Sequence, residues 1–208
     1  MLGMATRTTP TGASAARERL LATASELFYR EGIHSVGVDR IVGAAGVTRA
    51  TFYRHFPSKE DLVEAYLGVE DANIRGAFEA AEASGAGPRE LVGLVIDGLA
   101  DDVARHHTRG CPFINAAAEY PDPSSGVRRA VGAHREWFRS ELRHVLEAAG
   151  APDPELGAAE LVLARDAAMV GGYLDGWERV RPAFVASAHR AAGVPIGDDP
   201  AGESDVQD

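Results

Sequence analysis

The chain has 208 residues, 45% hydrophobic and 25% charged, which is ordinary for a globular protein. No run approaches the roughly 18 to 20 apolar residues of a membrane span, and a lone cysteine, Cys111, excludes an internal disulfide framework. Net charge is −10, which alone argues weakly against a nucleic-acid partner. Its distribution argues the other way: residues 1–60 hold eight Lys and Arg against five acids, and the remaining 13 bases face 26 acids. An N-terminal module that meets a polyanion, joined to an acidic body, is the expected arrangement.

Residues 1–13 and 197–208 are rich in small, polar or acidic groups and are expected to be disordered tails. No apolar core of signal-peptide type opens the chain, so a cytoplasmic location is expected. Apolar residues recur at spacings of three and four with no alternating strand pattern, so the fold class is all-α. The first helix is expected from Ser14 to Arg30, with Leu20, Leu21, Ala24, Leu27 and Phe28 inward and Gly32 as its left-handed cap. A short helix follows over Val38–Ala45, stopped by Gly46, and then another over Thr48–His55. After Pro57 a long helix runs from Ser58 to about Ala83. "RELVGLVIDGLADDVARHH" and the short "FINAAAEY" come next. Long helices are expected over Ser124–Ala149 and Pro154–Arg179, with a small terminal one over Pro182–Ala191.

The densest chemistry lies in "GVTRATFYRHFPSKEDL", Gly46 to Leu62. Thr48 is a good N-cap, since its hydroxyl can accept from a backbone N–H two or three residues on. Phe52 and Phe56, four apart, share an inward face. That turns Arg49, Ala50, Thr51, Tyr53, Arg54 and His55 toward solvent or a partner. Ser58 and Asp61 form a near capping box for the next helix. Lys59 in that helix's first turn is electrostatically out of place unless an anion docks there. Two short helices joined by "AAGV", the second presenting Arg, Thr, Tyr and His, make a helix-turn-helix able to enter a major groove. Arg pairs with guanine, while Ala50 and the Thr51 methyl suit a thymine methyl.

"YREGIHSVGVDRIVGAAGVTRATFYRHFPSKEDLVEAYL" resembles the DNA-binding domain of the tetracycline-repressor (TetR) family of transcriptional regulators, over about residues 14–66. The resemblance implies a DNA-binding domain over 14–60 and a helical effector-binding and dimerisation domain over 61–192. It implies base reading by Arg49, Ala50, Thr51 and Tyr53, a further contact from Arg54, and phosphate contacts from His55 and Lys59. It also implies a homodimer on a palindromic operator, a repressor role, and no catalytic activity. One departure stands out: the family opens its second helix with Thr or Ser, where this chain has "VGVDR" and only Gly37 to cap it.

The resemblance further implies dimerisation through two long C-terminal helices, for which Ser124–Ala149 and Pro154–Arg179 are the natural pair. Gly157, Ala158, Ala167, Ala168, Gly171 and Gly172 would allow close approach between subunits, or else pack within one. For the effector, "RGCPFINAAAEYPDP" supplies Cys111, Phe113, Asn115 and Glu119, the last two on one helical face. Trp137, Met169, Tyr173 and Trp177 are candidates for an apolar pocket, or plain core. A redox- or metal-responsive regulator using Cys111 or Asn115 and Glu119 is the alternative, and a Cys-dependent enzyme a remote one. His134 and His144 are expected at the surface. No cofactor and no metal are expected.

Overall fold

A computed structural model describes residues 12–194, with side chains from residue 15 onward. The expected tails fall outside the described residues, except positions 12 and 13, which are helical. Among the described residues there are nine α-helices and no strand. They are α1 (Gly12–Glu31), α2 (Val38–Ala45), α3 (Arg49–His55), α4 (Lys59–Glu82), α5 (Pro88–His106), α6 (Pro112–Glu119), α7 (Gly126–Ala148), α8 (Pro154–Asp175) and α9 (Trp177–Ala192). The chain divides into two compact units. One takes the residues up to Glu70 with Pro112–Val131, and the other takes Asp71–Cys111 with the residues from Gly132 onward.

In the first unit α1, α2 and α3 pack on one another. Their core is the inward stripe read from the sequence, Leu20, Ala24 and Phe28 of α1, with Ile33, Val36, Ile41, Phe52 and Phe56, all buried. Burying each large side chain stabilises by about 1.5–3 kcal/mol. Gly32 ends α1 at φ 90° and Gly46 ends α2 at φ 64°, in the left-handed region where a Cβ is costly. α6 belongs to this unit and fastens it. The Glu119 carboxylate accepts from the backbone N–H of Ile33 at 2.8 Å and of His34 at 2.5 Å, and lies 3.0 Å from His34 Nδ1. Burial pushes the Glu119 pKa up, but the two backbone donors and His34 outweigh it and hold it below the ordinary glutamate value.

The second unit is built by the later part of α4, α5, most of α7, α8 and α9, with α8 and α5 both packed on α9. The helix expected to run from Pro154 to Arg179 is in fact two. Gly176, at φ 89°, breaks it, and α9 starts at Trp177. Pro182, read as a helix start, lies inside α9. It lies past the first turn, so it removes one intrahelical backbone bond and crowds the carbonyl of Glu178. Most of the small residues of α8 serve packing within the subunit. A Cβ on Gly157 would come 2.7 Å from the Ala191 carbonyl oxygen, and one on Gly171 would come 3.1 Å from Val180 Cγ2. Ala158 and Ala168 are buried.

His134 is a second correction, being 3% exposed rather than at the surface. It continues the buried stripe of α7, Val127, Val131, Phe138, Leu142 and Val145, at spacings of three and four. Its ring stacks on Phe138 at 6.0 Å and 11°, and its Nδ1 lies 2.7 Å from Asp71 Oδ1. Burial pulls its pKa below the ordinary histidine value, and Asp71 only partly offsets this.

Candidate nucleic-acid interface and effector region

The helix-turn-helix is assembled from backbone signals outward. Gly37 caps α2 in an extended conformation with no side-chain bond, as its lack of a hydroxyl dictates. Past Gly46, the Val47 N–H returns to the Val42 carbonyl at 3.1 Å, tightening the turn. Thr48 then caps α3, its Oγ1 accepting from the Thr51 N–H at 3.1 Å. Phe52, fully buried, and Phe56 fix the roll of this seven-residue helix. Arg49, Ala50, Tyr53 and Arg54 are exposed on the opposite side. Tyr53 leans edge-on against Phe52 at 5.1 Å, so its ring is oriented while its hydroxyl end stays out.

The other expected contacts are more constrained. Thr51 is half-buried, with its hydroxyl 3.0 Å from Thr48 Oγ1 and 3.3 Å from Arg54 Nη2. His55 is half-buried, and its Nε2 is shielded from solvent with no hydrogen-bond partner among the described residues. Lys59 Nζ donates to the Ile33 carbonyl at 2.6 Å and lies 5.8 Å from the centre of the Phe28 ring. Burial holds its pKa below the ordinary lysine value, against the pull of Glu119. Lys59 therefore has a reason within the fold to stand in the first turn of α4, where Glu60 and Asp61 already complement the helix dipole. The capping box is reciprocal: Ser58 N–H donates to Asp61 Oδ2 at 2.8 Å and Asp61 N–H to Ser58 Oγ at 3.1 Å. A feature the sequence reading missed is Asp39, whose Oδ1 lies 2.9 Å from Arg49 Nε. Its signal was present, since Asp39 lies in the first turn of α2 and Arg49 opens α3.

The eight candidate effector residues are divided between the two units. Phe113, Asn115 and Glu119 lie on α6 in the first unit. Glu119 accepts from the backbone of the turn after α1, and Asn115 is exposed. In the second unit Met169 is fully buried core. Tyr173 is half exposed on α8. Trp177 is half-buried beside Gly172 and 6.2 Å from Phe184. Trp137 packs edge-on to Phe78 at 5.7 Å under the Arg75 guanidinium at 4.0 Å. Cys111 is buried with its Sγ 3.9 Å from Arg165 Nη1. Burial sets Cys111 away from any nucleophilic role at a surface.

The outward faces of α7 and α8 differ. α7 shows solvent polar or small groups, among them Glu136, Ser140, His144 and Glu147. α8 shows Leu156, Leu163, Val170, Tyr173 and Leu174, each between 46% and 69% exposed.

The model of the bacterial regulatory proteins of the tetR family matches residues 20–66, and that of the tetracyclin repressor-like C-terminal domain matches residues 89–176. The crystal structure of a TetR-family transcriptional regulator from Streptomyces coelicolor is 45% identical with a TM-score of 0.82, covering 86% of this chain and 95% of that one. The transcriptional regulator AcrR of Shigella flexneri is 28% identical over 82% of this chain and 80% of its own. The transcriptional repressor KstR2 of Rhodococcus jostii is 29% identical over 63% of this chain and 59% of its own.

Proposed function

The chain belongs to the TetR family of bacterial transcriptional regulators, and from that premise we propose that it represses by occupying a palindromic operator as a homodimer, which a small effector releases. The reading domain is residues 14–60, and residues 61–192 bind the effector and the second subunit. The observation that carries this is α3: a short helix capped by Thr48, locked inward by Phe52, with Arg49, Ala50, Tyr53 and Arg54 facing out. Arg49, Ala50, Thr51 and Tyr53 read base edges. Arg54 makes a further contact, His55 and Lys59 hold phosphates, and the Lys59 ammonium keeps two donors beyond the one on Ile33.

The second copy docks on the exposed apolar stripe of α8. Leu156, Leu163 and Val170 are spaced by seven, and Leu174 follows four residues on, which is a helix-pairing seam left open to solvent. The outward side of α7 is polar, which supports α8 as the pairing helix. No described helix is long and apolar enough to cross a membrane, which supports work in the cytoplasm beside the DNA. The name KstR2 bears, that of a repressor, supports the direction of control.

Selection of bound duplexes from a random pool is the test. A palindrome whose affinity falls steeply with salt is expected, together with lower expression of a reporter placed behind it. A pool with no enriched sequence would remove the reading role of α3, and rising expression would reverse the direction of control.

A further inference from the structure

Arg165 is the one charged side chain of α8 that turns wholly inward among the described residues, at 3% exposure. Its guanidinium lies 5.1 Å from the centre of the Phe138 ring, which covers one of its faces. One terminal nitrogen, Nη1, lies 3.9 Å from the Cys111 sulfur, a weak acceptor. The other two nitrogens, Nε and Nη2, are buried with no hydrogen-bond partner, and so is Oδ2 of Asp102. Asp102 Oδ2 stands 3.7 Å from Arg165 Nη2, close enough to balance its charge and too far to accept its proton. His107 Nδ1 lies 3.1 Å from the same oxygen and holds the carboxylate in place.

Nε and Nη2 form the side of a guanidinium that presents two parallel N–H groups to one partner. A buried donor left without an acceptor costs of the order of 1–3 kcal/mol, so two on a single side chain mark a place built for a partner. The chemistry of that partner follows from the unsatisfied set. Two donors call for a carbonyl oxygen, while the carboxylate oxygen beside them already has His107 Nδ1 at 3.1 Å. Asp102 already neutralises Arg165, so an added anion would meet the carboxylate without a free positive charge to offset it.

We infer that the effector of this regulator is an uncharged small molecule whose carbonyl oxygen is held by the Nε–Nη2 edge of Arg165. This rests on the ligand-responsive reading above and names the chemical class that reading leaves open. Binding would complete the hydrogen bonds of Arg165 on α8, whose charge Asp102 of α5 balances at 3.7 Å.

The test uses the full chain without DNA and three neutral probes, mandelamide, salicylamide and pantolactone, each paired with its anion, mandelate, salicylate and pantoate. Neutral probes should raise the unfolding midpoint, shift the Arg165 Nε–H resonance and bind about tenfold more tightly than their anions. Arg165→Lys, which keeps the charge and loses the fork, should abolish the preference. The double substitution Arg165→Met with Asp102→Leu should fold, since an apolar pair replaces a buried ion pair at little cost, and should bind neither series. Anions binding more tightly than the neutral probes would overturn the assigned class. An Nε–H resonance that no probe moves would overturn the site. Duplex binding measured separately keeps the two readings apart: intact operator binding with an unresponsive Arg165 defeats only this inference, and a responsive Arg165 in a chain that selects no duplex defeats only the regulator reading.

Discussion

α3 and α8 both bury one stripe and leave the other in solvent, yet the exposed halves have opposite chemistry. α3 turns out Arg49, Tyr53 and Arg54 beside a small Ala50. α8 turns out Leu163, Val170 and Leu174, apolar groups that water solvates poorly. A cationic, hydrogen-bonding face gains by displacing counterions from a polyanion, so its contacts weaken with salt. An apolar face gains by removing area from water and is nearly indifferent to salt. The difference teaches that exposure alone names no partner, and that the atoms exposed do.

The largest break in that comparison comes from α8. Leu163→Glu with Leu174→Glu should leave a folded monomer by sedimentation, because neither side chain supports the core. Operator affinity should fall toward the non-specific level, by about a thousandfold or more, as each half-site is then read alone. A dimer that survives both charges would move the pairing face elsewhere.

Arg49→Ala or Tyr53→Ala should cost about 1–3 kcal/mol of operator binding and relax sequence preference, with the dimer unchanged. Asp39→Ala sharpens this. Asp39 holds Arg49 Nε at 2.9 Å, so freeing it should alter which base Arg49 prefers more than it alters total affinity. Lys59→Ala should weaken all duplexes alike and lower the salt slope by about one unit. A slope that does not move would assign Lys59 wholly to the Ile33 carbonyl.

The smallest effect concerns the scaffold beneath both faces. His134 is held neutral, its pKa depressed by burial below the 6.5 it has when unfolded. The unfolded chain therefore binds more protons, and the stability His134 allows is present above pH 6.5 and lost as pH falls through its lower folded value. Arg165 and Arg75 add to the depression, and Asp71 opposes it. Denaturant midpoints should decline as pH falls below 6.5, and His134→Phe, which keeps the stack on Phe138, should flatten that decline.

Much of the helix-turn-helix was legible because its determinants are local. The Thr48 cap, the glycines at 32 and 46, the Ser58–Asp61 box and the Phe52–Phe56 spacing each act within a few residues of chain. His134 was legible too, since it keeps the α7 stripe that runs from Val127 to Val145, but a polar residue type masked its position. The break at Gly176 was not, because the apolar spacing on either side of it reads as one helix while the backbone there takes φ 89°.

What the sequence determined by itself is the all-α class, the helix-turn-helix and its outward face, because hydrogen bonds to neighbours and a 3.6-residue period are written in consecutive residues. Only the tertiary structure decided that Glu119 fastens the turn after α1, 85 and 86 residues away in sequence, and that Lys59 answers the Ile33 carbonyl. It alone separated the apolar residues of α8 into core and open seam, and it alone left Arg165 inward with two N–H groups unanswered. Those outcomes depend on which distant side chains arrive at a site, and a buried charge is judged by its neighbours in space, which no local pattern records.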